Sequence, residues 1–258
     1  MCLLIFAYRT DARQPLVIAA NRDEFHQRRT APSRFWPECP DLLAGRDLEQ
    51  GGTWMGITRG GRFAAVTNYR DPARTAPAPR SRGELPMGFL RERCTPEAFL
   101  EDLRGRADDY AGFNLLVGDG DGLWYFTNST PVAQRDALQL EPGIYGLSNA
   151  RLDTPWPKVE LGRQRLRSLF ESGGMSHDAL AAVVGDRRMA PPQALHRQGL
   201  GSDMDQLLSA QFIVTSSYGT RSSTSLWLDE QARVHWRETS YDAAGLVTGQ
   251  CEESFGLN

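Results

Sequence analysis

The sequence predicts an α+β fold in a single domain spanning residues 1–258. Two observations carry that expectation. Short apolar runs bounded by Gly- and Pro-containing turns recur along the chain and read as strands of antiparallel hairpins. Helical patterns come in two pairs, giving the order strands, two helices, strands, two helices, strands, as in layered α+β structures. At 258 residues, 40% hydrophobic and 24% charged, the composition is that of an ordinary globular chain.

The first two runs, Cys2–Tyr8 and Leu16–Glu24, flank the polar loop around Asp11-Ala12-Arg13 and read as a hairpin. With the loop centred near residue 12, Cys2 lies across from Arg22 or Asp23. Both runs are apolar on both faces, so both should be covered on two sides. Residues 25–50 are rich in Arg, Pro and acidic side chains and read as mostly loop. Residues 54–58 and 62–67 form a hairpin about Arg59-Gly60-Gly61. Residues 70–86 carry Pro72, Pro77, Pro79 and Pro86 with Arg70, Arg74, Arg80 and Arg82. They read as an extended loop, either simply solvated or a clamp for an anionic ligand.

Residues 83–93 have helical character, and Thr95-Pro96 is a helix start. Residues 113–117 and 123–127 flank a glycine-rich turn. No Lys-Ser/Thr and no helix follows it, which sets a phosphate loop aside. After Trp156-Pro157 an amphipathic helix runs to Gly173-Gly174, and Ser176 caps a shorter one. Residues 189–205 read as irregular, 211–217 and 222–228 as strands, and 232–239 as a further strand.

Several function classes find no support. The net charge of −3 gives no nucleic-acid or polybasic membrane signature. Lys158 is the only lysine among the 29 basic residues, which leaves little for Schiff-base chemistry. The spacing of Cys2, Cys39, Cys94 and Cys251 fits no zinc motif, so no metal is expected. No apolar run is long enough for a transmembrane helix. With no charged leader before the first strand, the cytoplasm is the expected location.

Cys2 is the candidate nucleophile. Its plain reading is a small buried hydrophobe. Methionine before a small residue is commonly removed, however, and Cys2 would then carry both a thiol and a free α-amine. One residue would supply nucleophile and general base.

The motifs Met1-Cys2-Leu3-Leu4, Asn21-Arg22-Asp23-Glu24, Gly51-Gly52-Thr53-Trp54, Thr67-Asn68-Tyr69-Arg70, Ser81-Arg82-Gly83, Gly146-Leu147-Ser148-Asn149 and Gly219-Thr220-Arg221-Ser222-Ser223-Thr224 resemble the NRDE family, the transport and Golgi organisation 2 family. That family is similar in turn to N-terminal nucleophile hydrolases of the penicillin V acylase and choloylglycine hydrolase group. The resemblance implies a four-layer αββα sandwich of mostly antiparallel sheets. It also implies an amide- or thioester-directed hydrolase or acyltransferase with Cys2, Asp23, Asn68, Asn149 and Arg221 as its catalytic set. Asp23 would accept from the α-amine, Asn68 and Asn149 would donate to an oxyanion, and Arg221 would lower the thiol pKa. Arg22, as Asp23's neighbour on a strand, would point to the other face and need not reach the thiol. Arg22, Tyr69, Arg70, Ser81 and Arg82 are the ligand-binding candidates. No cofactor is required. The alternative the resemblance carries is a non-catalytic protein that binds or traffics haem or acyl-coenzyme A as cargo, with the arginine loop at the pocket mouth.

Overall fold

The computed structural model describes residues 2–70 and 77–258. Pro72 and Arg74 of the arginine loop, and Met1, lie outside the described residues. The fold is α+β with two antiparallel sheets, and the chain divides into two compact units. The first comprises the chain up to Gln27, Pro142–Ser148 and Leu152–Ser254. The second comprises Arg28–Glu141, Asn149–Arg151 and Phe255–Asn258.

The first unit is built on β1 (Cys2–Tyr8), β2 (Leu16–Phe25), β10 (Gly143–Leu147), β11 (Tyr218–Leu228), β12 (Arg233–Tyr241) and β13 (Val247–Gly256, whose end passes into the second unit). Their order in the sheet is β10-β1-β2-β11-β12-β13. Every residue of β1 is buried, as expected of a strand without a polar face. Leu3, Ile5 and Ala7, with Val17 and Ala19 opposite, pack against Val159 and Leu166 of α3 (Pro157–Ser172) and Leu180 and Val183 of α4 (His177–Val183). Gly162 allows the approach of α3, since a Cβ there would stand 2.5 Å from Ile5 Cγ1. Gly173 ends α3 at φ 68°, and the Ser176 hydroxyl caps α4 by accepting from Ala179 N–H at 3.1 Å.

The second unit holds the sheet β3-β4-β5-β6-β7-β8-β9 in sequence order. These strands are Thr30–Trp36, Cys39–Asp47, Met55–Thr58, Phe63–Asn68, Phe113–Gly118, Leu123–Thr127 and Leu138–Gln139. Helices α1 (Glu84–Arg91) and α2 (Pro96–Arg106) cover one face, with Leu85, Phe89, Phe99 and Leu103 packed among Ala64, Val66, Leu115 and Phe126. Each unit is thus an antiparallel sheet with helices on one face.

Four local expectations are corrected. Residues 25–50 are not mostly loop but supply β3 and β4. Residues 211–217 form no strand, and β11 begins at Tyr218. Residues 189–205 contain the short helix α5 (Pro192–His196) and the start of α6 (Asp203–Leu207). Strand β13 was not anticipated.

Candidate active site

The hairpin register decides the geometry at Cys2. Cys2 pairs with Arg22, and Leu3 with Asn21. Directly opposed residues in an antiparallel pair share a face, and neighbours along a strand alternate. The register therefore corrects the expectation for Arg22: its side chain shares the face of Cys2, while Asp23 takes the other face with Asn21. Asp23 lies one step past Arg22, on the side of Cys2's own backbone nitrogen.

Each member of the Asn21–Glu24 run has a distinct job. Asn21 clamps the sheet to the helix side. Its Nδ2 donates to Val184 O and Gln211 O, both at 2.8 Å, and its Oδ1 accepts from Ser223 Oγ at 2.6 Å. Arg22, 6% exposed, pairs with Glu24 at 3.8 Å. Asp23 is 1% exposed. Its Oδ1 accepts from Thr220 Oγ1 at 2.7 Å, and its carbonyl accepts from the Tyr218 hydroxyl at 2.9 Å. Thr220 Oγ1 in turn accepts from Ile213 N–H at 2.9 Å, so its proton is committed to Asp23. Cys2 is anchored by Ser148, whose Oγ donates to the Cys2 carbonyl at 3.0 Å.

Electrostatics follow from burial. Burial pushes the Cys2 thiol above its ordinary range. The charge of the N-terminal amine works against it, the Asp23 charge works in the same direction, and Arg22 and a hydrogen bond from the Asp23 backbone also work against it. Burial likewise raises Asp23, opposed by the charge of the N-terminal amine, then by Lys158, the Thr220 hydrogen bond and Arg22.

Arg221 occupies a β-bulge. Asp23 pairs with Thr220 but Arg22 pairs with Ser222, which leaves Arg221 as the extra residue. Its Nη1 donates to the carbonyls of Phe25 at 3.1 Å and His26 at 3.0 Å, tying down the end of β2. A guanidinium whose charge works against the rise of the Cys2 thiol pKa is that of Arg22.

The remaining candidates gather in the second unit. Asn149 Nδ2 donates to Asn68 O at 2.8 Å, and Arg70 N–H donates to Asn149 O at 2.7 Å. Tyr69 N–H and Arg82 Nη1 converge on the carbonyl of Gly112, at 2.8 and 3.1 Å. Arg70 is exposed and Arg82 partly buried. Ser81 Oγ accepts from Gly83 N–H at 3.3 Å and so shapes the start of α1. The structure thus brings Cys2, Arg22, Asp23 and Arg221 together in one unit, and Asn68, Tyr69, Arg70, Arg82 and Asn149 together in the other.

Sequence reasoning missed Lys158. It is 3% exposed, it lies in the first turn of α3, and its charge acts on Asp23. Its single occurrence in an arginine-rich chain was the available signal. A cavity of ≈ 320 Å³ beside α3 is lined by Lys158, Leu161, Met189, Pro191 and Gln211 among others. Cys2 and Asp23 are not among its lining residues. Among the described residues no cluster of His, Cys, Asp and Glu could hold a metal ion. No described helix is long and apolar enough to cross a membrane.

Comparison with known proteins gives a consistent family. The family model described as Transport and Golgi organisation 2 matches residues 1–243. The chain is 35% identical to the Transport and Golgi organization protein 2 homolog of Bos taurus, covering 93% of each chain. It is 35% identical to the Homo sapiens homolog over the same shares. Its identity to the Drosophila melanogaster protein is 24%, covering 92% of this chain and 91% of that one. Among solved structures, a conjugated bile acid hydrolase from Clostridium perfringens is 12% identical with a TM-score of 0.47, covering 100% of this chain and 97% of that one. An N-acylethanolamine-hydrolyzing acid amidase ortholog from Caenorhabditis elegans is 11% identical with a TM-score of 0.42, covering 87% and 92%.

Proposed function

The chain belongs to the transport and Golgi organisation 2 family, and within it we propose that this protein is an N-terminal cysteine hydrolase acting on an amide or thioester of a small acyl compound. One observation carries the reading. A thiol at position 2 pairs in register with a buried arginine, and the buried Asp23 is the next residue of that strand towards the N-terminal side of Cys2. In this reading Met1 is removed and the Cys2 α-amine donates to Asp23. The amine takes the thiol proton as Sγ attacks the acyl carbonyl. It returns that proton to the departing nitrogen or sulfur as the bond to the acyl carbon breaks. Water then attacks the acyl-enzyme, releases the carboxylic acid and restores the thiol. Asn68 and Asn149 are assigned as donors to the developing oxyanion, and Tyr69, Arg70, Ser81 and Arg82 as ligand contacts.

The test begins with intact mass, which shows whether Cys2 is the terminus. Processed protein should turn over members of a panel of acyl amides and acyl thioesters. Cys2→Ala should abolish turnover and leave the melting temperature within a few degrees, because removing a thiol costs little packing volume. Asn68→Ala and Asn149→Ala should each lower kcat by about 10²-fold or more. Equal turnover by a form that keeps Met1 would remove the mechanism.

A second reading is a non-catalytic carrier of haem or acyl-coenzyme A. The raised thiol favours it, since a protonated thiol is a poor nucleophile. In that case Cys2→Ala leaves ligand affinity unchanged, while added salt and Arg82→Ala weaken it.

A further inference from the structure

We propose that Lys158 is the positioning residue of the Cys2–Asp23 site: its ammonium, enclosed with Asp23 on the helix side of the β1–β2 pair, holds Asp23 as the carboxylate to which the Cys2 α-amine donates. The proposal rests on the hydrolase reading and gives it a residue that the family resemblance did not supply.

The geometry runs through one segment, residues 208–213. At its start, Leu208 O accepts from Lys158 Nζ at 2.9 Å. In its middle, Gln211 Nε2 donates to Lys158 O at 2.9 Å while Gln211 O accepts from Asn21 Nδ2 at 2.8 Å. At its end, Ile213 N–H donates to Thr220 Oγ1, the hydroxyl that donates to Asp23. Asn21 and Asp23 project from the same face of β2, two residues apart. The segment therefore straps Lys158 and Asp23 to one side of the sheet.

The energetics point the same way. Lys158 is 3% exposed, and among the described residues its Nζ donates to the neutral carbonyl of Leu208 and stands 5.8 Å from the Trp156 ring centroid. A buried ammonium keeps its proton only beside an opposite charge. Burial pushes Lys158 down and Asp23 up, and the charge of each opposes the shift of the other. The groups acting on Asp23 or facing it are the N-terminal amine of the chain, Lys158 from α3, Thr220 and Tyr218 from β11, Arg22 and Glu24 from β2 and Cys2 from β1. Arg22 is on the opposite face and paired with Glu24. Lys158 is therefore the side-chain cation on Asp23's own side, acting beside the amine of the chain terminus.

A double-mutant cycle in stability tests this without turnover. In Lys158→Met the side-chain volume is kept and the charge removed. The folded-state pKa of Asp23 then rises further above its unfolded value of about 3.9. A carboxylate raised in this way is tolerated at low pH, and stability is lost as pH climbs through the folded pKa. Lys158→Met should therefore lower the melting temperature more at pH 8 than at pH 5, by about 5 °C or more. Adding Asp23→Asn should recover much of the loss and flatten the pH dependence. Equal losses at both pH values with additive single effects would overturn the proposal. If Lys158→Met does not fold, the double variant decides: a folded double variant supports the pair, and an unfolded one overturns it. Coupling without turnover by any processed form would sink the hydrolase reading alone. Turnover without coupling would sink the role of Lys158 alone.

Discussion

Cys2 and Arg22 face each other across β1 and β2, and the thiol's acidity should report it. Arg22 is the side-chain cation that, after the amine of the chain terminus, opposes the effect of burial on the thiol. Arg221 has its Nη1 on the carbonyls of Phe25 and His26. In Arg22→Met the rate of Cys2 alkylation by iodoacetamide should therefore shift to higher pH, by about one unit or more. Arg221→Met should leave that profile in place. The reverse pattern would return the role to Arg221. This is also where the sequence reading stopped short. A hairpin loop centred near residue 12 leaves the partner of Cys2 as either Arg22 or Asp23, and a one-residue slip exchanges the faces. The nearness of Cys2 and Asp23 was legible because it is local. The place of Lys158 was not, because it depends on how α3 docks through Gly162 and Ile5.

At the scale of elements, the strongly apolar hairpins and the capped helices were readable, and the edge strands were not. Strand β3 is outermost in its sheet and carries Pro32, which an edge tolerates because it lacks a donor. Strand β13, the other sheet's edge, is largely exposed and shows polar residues on both faces. Neither has the periodicity that marks a half-buried strand. The Gly51–Trp54 and Ser81–Gly83 motifs gain a structural reason at this scale. Thr53 N–H donates to Gly83 O at 3.2 Å, and a Cβ on Gly52 would stand 2.5 Å from the Gly83 carbonyl carbon. Backbone cannot retreat as a side chain can, so Gly52→Ala should cost about 1–3 kcal/mol. That corresponds to a fall in melting temperature of roughly 2–12 °C. Gly105→Ala, on α2 with nothing within 4 Å of the new Cβ, should instead hold or raise stability. An unchanged melting temperature in Gly52→Ala would show that the two segments can separate at no cost.

For the molecule as a whole, acid stability should be governed first by His177. It begins α4, is 8% exposed, has Nδ1 2.7 Å from Ser225 Oγ, and packs against Trp227 at 4.5 Å between ring centroids. Burial, with help from the Arg237 charge, pushes its pKa down to about 4. The N-terminal end of a helix also disfavours an added positive charge. The sign follows from linkage. The folded state prefers the neutral ring, so the stabilisation is complete above the unfolded value of about 6.5. It is lost as pH falls from there to about 4. The Asp186 carboxyl is held below the ordinary range by hydrogen bonds from Arg188, so its contribution survives that window and fails only at lower pH. His177→Gln keeps a partner for Ser225 but cannot titrate. Urea midpoints measured from pH 8 to pH 4 should drop progressively below those of His177→Gln as pH falls under about 6.5. Taking the difference between the two proteins cancels the opposite contribution of Asp23, whose raised carboxyl favours low pH in both. Parallel curves would mean that the imidazolium is accommodated at the head of α4, and that another group sets the acid limit.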